Sequence, residues 1–195
     1  TKEVYEANAI EFDKQRSKNL FEKKWLDTFL SYLTKGDTVL DIGCGSAEPI
    51  ARYLIDKKMK LTGVDFSKEM IAMASKRFPQ NEWFVQDMRE LNLGHKFKAI
   101  IAWNSFFHLT QNDQKLAFSL FDKHLDEEGV FMTTVGPKKG EVLGLVNKNK
   151  VYHSSLSLNE YKELLDKFDF ELIDFVPSDP DCNQHTILLA KRNGV

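Results

Sequence analysis

The chain has 195 residues, of which 42% are hydrophobic and 29% charged, and its formal net charge is -2. This near-neutral balance gives no electrostatic reason to expect a nucleic acid or an anionic membrane as a partner, and no apolar run reaches the roughly 20 residues that span a bilayer. Because the polar segment 1–17 lacks a signal-peptide core and the two cysteines make no disulfide framework, we expect one cytoplasmic domain over 1–195.

Short apolar segments alternate with amphipathic segments along the first two thirds of the chain. Such alternation predicts a parallel sheet that helices cover on both faces. The predicted strands are 39–42, 61–64, 83–85, 99–102 and 130–135. The predicted helices are 20–33, 49–57, 67–78 and one that begins at Thr110 or Asn112 and carries apolar residues as far as Leu125.

The last part of the chain departs from this alternation. The segment 136–156 contains Lys and Gly and is predicted to be irregular. Ser157 and Glu160 have the spacing of a capping box that opens a helix to about residue 168. Strand-like runs at 170–176 and 186–191 follow with no helix between them, so we expect them to form an antiparallel hairpin at the edge of the parallel sheet.

The stretch VLDIGCGSAEP, residues 39–49, combines a strand, a glycine turn and the start of a helix. Gly43 and Gly45 lack a Cβ atom, so the backbone can turn sharply and a ligand can approach it closely. A strand, a glycine turn and a helix N-terminus in this order are typical of a nucleotide-binding turn.

Acidic residues follow the next two strands. In open α/β sheets, ligands bind beyond the carboxyl ends of the strands. Asp65 ends the strand after the glycine turn, which is the placement of an acid that binds ribose hydroxyls. Asp87, at the end of the third strand, is placed to accept a hydrogen bond from an adenine amino group. Apolar walls for the base would come from Phe66, Met70 and Met88.

Two carboxylates flank the glycine turn and favour one nucleotide over another. Asp41 precedes the turn, and Glu48 follows it. Near two phosphates they would repel a dinucleotide by about 1–4 kcal/mol per charge pair at 4 Å. A sulfonium and an ammonium would instead be attracted to Asp41, with Glu48 as a second carboxylate. The charge pattern therefore favours S-adenosylmethionine over NAD.

These motifs resemble those of the class I S-adenosylmethionine-dependent methyltransferases, in particular small bacterial ones of generic type. VLDIGCGSAEP resembles the glycine motif, GVDFSKEMIAMA the ribose-acid motif and FVQDMREL the adenine motif. With IIAWNSFFHL and EGVFMTTVG, the resemblance spans roughly residues 20–136. It implies an α/β fold, a Rossmann-like three-layer sandwich with a mostly parallel seven-stranded sheet and a C-terminal antiparallel hairpin.

The resemblance also implies a role for each motif residue. Asp41 would face the methionine end of the cofactor, Asp65 would take the ribose, and Asp87 with Met88 would take the adenine. Backbone groups of the glycine turn would contact the methionine end. The full set of cofactor-binding candidates is Asp41, Gly43, Cys44, Gly45, Asp65, Phe66, Met70, Asp87, Met88 and Trp103.

His108, which follows the fourth strand, is the candidate general base. The usual pKa of histidine, near 6.5, suits proton removal near neutrality, although His108 could instead cap a loop or pack against Trp103. Trp103, Phe106 and Phe107 could form walls of a substrate pocket or bind a cation through their ring faces, although one or two of them could instead belong to the core.

Two segments could close over a substrate. One is the N-terminal arm, residues 1–17, a short helix or a flexible arm with Tyr5, Phe12 and Arg16. The other is the substrate-side insertion, residues 136–156, with Tyr152 and His153. Either segment could also be a packed surface with no such role.

The sequence therefore predicts an enzyme that transfers a methyl group from S-adenosylmethionine to a small-molecule acceptor and leaves S-adenosylhomocysteine. The alternatives are an NAD-dependent oxidoreductase and a non-catalytic S-adenosylmethionine-binding regulatory protein. We predict no metal site, although the loop 179–185 contains acid, thiol and imidazole groups. We expect no nucleic-acid or membrane partner, and a monomer or a homodimer.

Overall fold

The computed structural model describes residues 2–146 and 149–194. The helices in these ranges are α1 (Lys2–Gln15), α2 (Lys23–Leu30), α3 (Ile50–Asp56), α4 (Lys68–Arg77), α5 (Gln111–His124) and α6 (Leu158–Lys167). The strands are β1 (Thr38–Ile42), β2 (Lys60–Asp65), β3 (Glu82–Val85), β4 (Phe97–Ala102), β5 (Leu125–Val135), β6 (Gly140–Val146), β7 (Asn149–Ser155), β8 (Phe170–Asp179) and β9 (His185–Arg192).

The main sheet has the strand order β3-β2-β1-β4-β5-β9-β8. Strands β1 to β5 pair in parallel, whereas β9 pairs antiparallel with both β5 and β8. This arrangement confirms the predicted α/β class with a mostly parallel seven-stranded sheet and a C-terminal antiparallel hairpin. Because the strand order reverses at β1, the carboxyl ends of β1 and β4 flank the crevice in which such sheets bind ligands.

The apolar residues of the central strands divide between two hydrophobic clusters, one on each face of the sheet. Leu40 and Ile42 of β1 belong to one cluster with Phe118 and Phe121 of α5, and Val39 belongs to the other with Trp25, Phe29 and Leu54. Successive strand residues point to opposite faces, so a fully apolar strand is buried on both sides. Each fully buried large side chain contributes about 1.5–3 kcal/mol, and the three layers follow from this burial.

The predicted irregular structure of residues 136–156 is wrong. Strands β6 and β7 form a separate antiparallel hairpin, whose exposed apolar residues Val142 and Leu143 hide the alternation typical of a half-buried strand. The end of β7 is fixed to α5, because Nε2 of Gln114 donates to the carbonyl oxygen of Ser154 at 2.9 Å. Hydrogen bonds between the two backbones stabilise this hairpin. Because these bonds do not depend on side chains, the sequence shows no alternation of apolar and polar residues here.

Most of the segment 1–17 forms helix α1, and an ion pair fixes its C-terminal end beside the glycine turn. Asp13 accepts hydrogen bonds from Arg77 of α4 at 2.7 and 2.6 Å and another from the hydroxyl of Ser46. Nη1 of Arg77 also donates to the carbonyl oxygen of Ser46 at 3.0 Å. The hydrogen bonds from Arg77 hold the pKa of Asp13 well below its usual range. These contacts bring α1 to the ligand-binding edge of the sheet.

Candidate cofactor and acceptor site

A cavity of about 730 Å³ lies at the carboxyl ends of the parallel strands. Its volume is within the range of roughly 300–1,000 Å³ that is typical of small-molecule sites. All predicted site residues except Tyr5 line it, and the side chain of Tyr5 lies outside the described residues. The predicted residues that meet there are Arg16, Asp41, Gly43, Cys44, Gly45, Asp65, Phe66, Met70, Asp87, Met88, Trp103, Phe107, His108, Tyr152 and His153.

The glycine turn follows β1 in a conformation that requires Gly43. Gly43 has a φ of +74°, and its N–H donates to the carbonyl oxygen of Val64 at 2.8 Å. A Cβ atom on Gly43 would lie 2.3 Å from Cβ of Ser105. Gly45 has a φ of +55° and more room, since its Cβ would meet only the sulfur of Met70 at 4.0 Å. The turn is therefore tightly packed at Gly43 and open to the cavity at Gly45.

Asp65 connects the glycine turn to the start of α4. One carboxylate oxygen accepts from the N–H of Gly45 at 3.0 Å and the other accepts from the N–H of Ser67 at 2.9 Å. Burial raises the pKa of Asp65, and these two backbone donors oppose the shift. A carboxylate has about four acceptor positions, so Asp65 can still accept hydrogen bonds from a ligand.

Asp41 is a buried carboxylate in the cavity wall, with 3% of its surface exposed. Among the described residues, no hydrogen bond to its side chain occurs. Burial raises its pKa to about 7, the nearby Asp65 raises it as well, and Arg16 opposes the shift. A cationic ligand group would stabilise the charged form of this carboxylate.

We expect the stability of the ligand-free protein to depend on the protonation of Asp41. The pKa of Asp41 is about 7 in the folded protein, whereas the ordinary value for an aspartate is 3.8. Between these two pH values the folded state therefore retains a proton that the unfolded state has lost. This contribution to stability is fully present below pH 4 and is lost as the pH rises through 7. Relative to Asp41→Asn, the free energy of unfolding should fall by on the order of 1 kcal/mol per pH unit in this window. The free energies of unfolding of both proteins are measured with urea at several pH values between pH 4 and pH 8. If they change equally with pH in the two proteins, the assignment is contradicted.

Asp87 is held at the end of β3 by a neighbouring arginine. Its Oδ1 accepts from the backbone N–H of Arg89 at 3.0 Å and from Nε at 2.9 Å, and its Oδ2 accepts from Nη2 at 2.6 Å. Met88 begins the short 3-10 turn that follows. The carboxylate predicted to meet an adenine therefore has a fixed orientation on the cavity wall.

Glu48, the second carboxylate beside the glycine turn, is paired with basic side chains. Glu48 lines the cavity, but it forms ion pairs with Lys18 at 3.0 Å, with Arg77 at 3.9 Å and with Arg52. These cations offset the charge of Glu48, whereas the carboxylates of Asp41 and Asp65 have no ion-pair partner among the described residues. Lys18 and Arg77 are distant from Glu48 in sequence, and the tertiary structure alone brings them together.

His108 lines the cavity, but its protonation differs from the expectation based on its usual pKa. Burial lowers its pKa to about 4, although a hydrogen bond to the carbonyl oxygen of Tyr152 opposes the shift. Nδ1 lies 3.0 Å from that oxygen, and a carbonyl can only accept, so the proton is on Nδ1 and Nε2 is unprotonated. At neutral pH the ring is an uncharged hydrogen-bond acceptor and a weak base. It contacts Phe107 and His153, each at a ring-centroid distance of 4.8 Å.

The sequence prediction missed several parts of the cavity wall, among them the start of α5 with Thr110 and Asp113 and the turn between β8 and β9. Asn183 and His185 line the cavity, as does Phe21 before α2. Because β9 is antiparallel to β5, it begins at the edge where the parallel strands end. The predicted antiparallel hairpin contained this information, since its turn had to lie at that edge.

Within residues 2–146 and 149–194, no group of three or more His, Cys, Asp and Glu side chains is arranged to hold a metal ion. No helix in the described part of the chain is long and apolar enough to cross a membrane. The loop 179–185, which contains possible metal ligands, instead forms the turn between β8 and β9.

Comparison with known proteins gives matches in sequence and in structure. A family model described as a methyltransferase domain matches residues 39–129. YqeM of Bacillus subtilis (strain 168), whose name classes it among the methyltransferases, is 30% identical over 140 residues, or 68% of this chain and 55% of YqeM. A dTDP-3-amino-3,6-dideoxy-alpha-D-glucopyranose N,N-dimethyltransferase of Streptomyces fradiae is 32% identical over 98 residues, or 49% of this chain and 38% of that enzyme. The chain thus spans about half or less of the length of these relatives.

Among solved structures, a 1,6-didemethyltoxoflavin-N1-methyltransferase of Burkholderia thailandensis has the same fold. The two structures superpose with a TM-score of 0.77 at 16% sequence identity, and the alignment covers 100% of this chain and 87% of the Burkholderia chain. That crystal structure contains 1,6-didemethyltoxoflavin and S-adenosylhomocysteine. The matched region begins at the strand before the glycine turn and includes Asp41, Asp65 and Asp87. The matching methyltransferase-domain model, the methyltransferase relatives and the shared fold together confirm the resemblance of this chain to the class I S-adenosylmethionine-dependent methyltransferases.

Proposed function

We propose that this protein transfers a methyl group from S-adenosylmethionine to a small-molecule acceptor. The observation that carries the proposal is the buried carboxylate of Asp41, which lies in the same cavity as the glycine turn and Asp65. A buried carboxylate is costly unless a cation or a donor accompanies it. A ligand with a sulfonium and an ammonium group meets this requirement, and a pyrophosphate does not, so an NAD-dependent oxidoreductase is disfavoured.

The cavity residues fit the parts of this cofactor in order along the sheet edge. We assign the methionine end to Asp41 and the backbone of Gly43 to Gly45, the ribose to Asp65, and the adenine to Asp87 and Met88. Phe66, Met70 and Trp103 would enclose the nucleoside. The bound cofactor supplies an electrophilic methyl group on its sulfonium sulfur.

The acceptor half of the cavity would orient the nucleophile. In our proposal, Nε2 of His108 accepts a hydrogen bond from an N–H or O–H group of the acceptor and so directs the lone pair of that group. With a pKa of about 4, His108 acts more as a positioning acceptor than as a strong base. Phe107, Tyr152 and His153 would form the adjacent wall and exclude water, which suits a displacement at carbon.

Helix α1 and the β6–β7 hairpin would serve as covers over the two halves of the cavity. α1 contributes Arg16 next to its C-terminal end, where Nη2 of Arg16 donates to Glu22 at 3.0 Å. The hairpin contributes Tyr152 and His153. A cavity of this volume supports a small acceptor, as do the small-molecule names of the two relatives from Streptomyces and Burkholderia.

Binding and turnover experiments test the proposal separately. Calorimetry should show micromolar or tighter binding of S-adenosylhomocysteine and no comparable binding of NAD. Incubation with methyl-labelled S-adenosylmethionine and metabolite extracts, followed by mass spectrometry, should reveal a labelled small molecule. Tight NAD binding with no heat from S-adenosylhomocysteine would overturn the proposal. Cofactor binding without any labelled product would favour the non-catalytic, regulatory alternative.

Cellular location and assembly remain predictions from the sequence. Cys44 and Cys182 are both free and buried, which supports our proposal of a reducing, cytoplasmic compartment. The monomer or homodimer and the lack of a nucleic-acid partner also stay predictions. Sedimentation analysis and a DNA- and RNA-binding assay would test them directly.

A further inference from the structure

Three histidines from different segments line the cavity: His108 follows β4, His153 is on β7 and His185 begins β9. The residues that we assign to the cofactor are concentrated at the ends of β1, β2 and β3. His108 and His185 lie at the other half of the same edge, because β4, β5 and β9 continue the sheet beyond β1. His185 is therefore a residue of the acceptor half, and the proposed function above gives it no role.

The imidazole of His185 is fixed in position and in tautomer. Nδ1 lies 2.8 Å from the carbonyl oxygen of Cys182, which can only accept, so Nδ1 carries the proton. In the neutral ring Nε2 is then an acceptor, and among the described residues no hydrogen bond to Nε2 occurs. The ring packs against two aromatic side chains, with centroid distances of 5.8 Å to Phe21 and 5.7 Å to Trp103.

The turn that carries His185 is held by a buried acid. Asp179, which is 3% exposed, accepts from Nε1 of Trp25 at 2.7 Å and from the N–H of Asp181 at 3.0 Å. Asn183 and Gln184 then take left-handed conformations, with φ values of +50° and +59°. Two adjacent non-glycine residues with left-handed φ values store backbone strain, and such strain is common at functional sites. The structure thus maintains a costly turn that places His185 on the cavity wall.

The charges on the wall restrict the ligand that these histidines could bind. Both arginines of the described wall are paired with carboxylates, Arg16 with Glu22 and Arg89 with Asp87. Asp113 adds a carboxylate to the wall, and the wall as described contains no lysine, so no unpaired cation remains there to bind an anionic acceptor. An anionic acceptor would therefore be repelled, whereas a neutral or cationic acceptor would not.

We propose that His185 is a second positioning residue of the acceptor half, which selects a flat-ring acceptor that carries a hydroxyl or amino donor and no negative charge. Nε2 of His185 accepts a hydrogen bond from that donor, and the ring of Phe21 extends the apolar surface beside it. This inference rests on the proposed function, because it concerns the acceptor of the same methyl transfer.

Phenol, anisole and benzoate are suitable probes, since they share a ring and differ in donor and charge. The protein is first saturated with S-adenosylhomocysteine, and its histidines are labelled with ¹⁵N. We expect phenol to shift the Nε2 resonance of His185 and to bind about fivefold more tightly than anisole, the difference that one hydrogen bond makes. Benzoate should bind more weakly than either. A phenol complex that leaves Nε2 of His185 unshifted, or equal binding of phenol and anisole, would overturn the inference.

His185→Phe retains an aromatic ring beside Phe21 and Trp103 but removes the acceptor, so the preference for phenol should disappear while S-adenosylhomocysteine affinity is retained. His95→Phe is the matched control. His95 also has Nδ1 at 3.0 Å from a carbonyl oxygen and an aromatic neighbour, Phe97, but it lies outside this cavity. A preference that survives in His185→Phe contradicts the inference alone. Failure of the wild-type protein to bind S-adenosylhomocysteine contradicts the proposed function, and the inference with it.

Discussion

Replacement of Asp65 by alanine is expected to weaken S-adenosylhomocysteine binding by at least about 100-fold. A hydrogen bond to a charged group contributes about 1.5–3 kcal/mol, and the carboxylate would accept from two ribose hydroxyls. Because each such bond is therefore equivalent to a tenfold change in affinity or more, the loss of both gives this change or a larger one. The variant also loses the acceptors for Gly45 and Ser67, so the glycine turn should become less ordered.

The control for this variant is Asp37→Ala. Asp37 accepts from the N–H of Thr34 at 2.8 Å and precedes β1, at the opposite end of the strand from the cavity. Its loss should leave cofactor affinity unchanged. Asp65→Asn keeps one acceptor oxygen and should bind with intermediate affinity. Calorimetry gives the dissociation constants, and urea unfolding shows whether each variant is folded. Unchanged affinity in a folded Asp65→Ala protein would remove Asp65 from the cofactor site.

Replacement of Gly43 by alanine is expected to lower the free energy of unfolding by about 2–5 kcal/mol, as the sum of two costs. The left-handed conformation at φ +74° costs an alanine roughly 1–2 kcal/mol. The new Cβ would also lie 2.3 Å from Cβ of Ser105, and overpacking of this kind costs roughly 1–3 kcal/mol. Ser105 has little freedom to move, because its hydroxyl donates to the carbonyl oxygen of Ile42 at 2.7 Å.

Gly94→Ala separates the two contributions. Gly94 has nearly the same φ, +72°, but a Cβ atom there would meet nothing within 4 Å. This variant should therefore show the conformational cost alone, about 1–2 kcal/mol. Urea-unfolding curves of both variants give the comparison. Equal destabilisation by the two substitutions would show that the contact with Ser105 contributes nothing.

The fold class and most of the cavity wall could be predicted from the sequence. Apolar runs such as 99–102 indicate strands that are buried on both faces, and capping residues such as Ser67 and Ser157 mark helix starts locally. Since ligands bind where parallel strands end, Asp41, Asp65 and Asp87 could be placed at one edge from their positions in the chain. These inferences succeeded because each depends on residues that are close together in sequence.

Properties that depend on distant residues follow only from the tertiary structure. The charge of Glu48 is neutralised by Lys18 and Arg77, and the pKa of His108 falls to about 4 because surrounding elements exclude water from it. The β6–β7 hairpin forms through backbone pairing, and His185 reaches the cavity only because β9 runs antiparallel beside β5. Burial and long-range ion pairs are produced by the whole fold, so local sequence patterns cannot contain them.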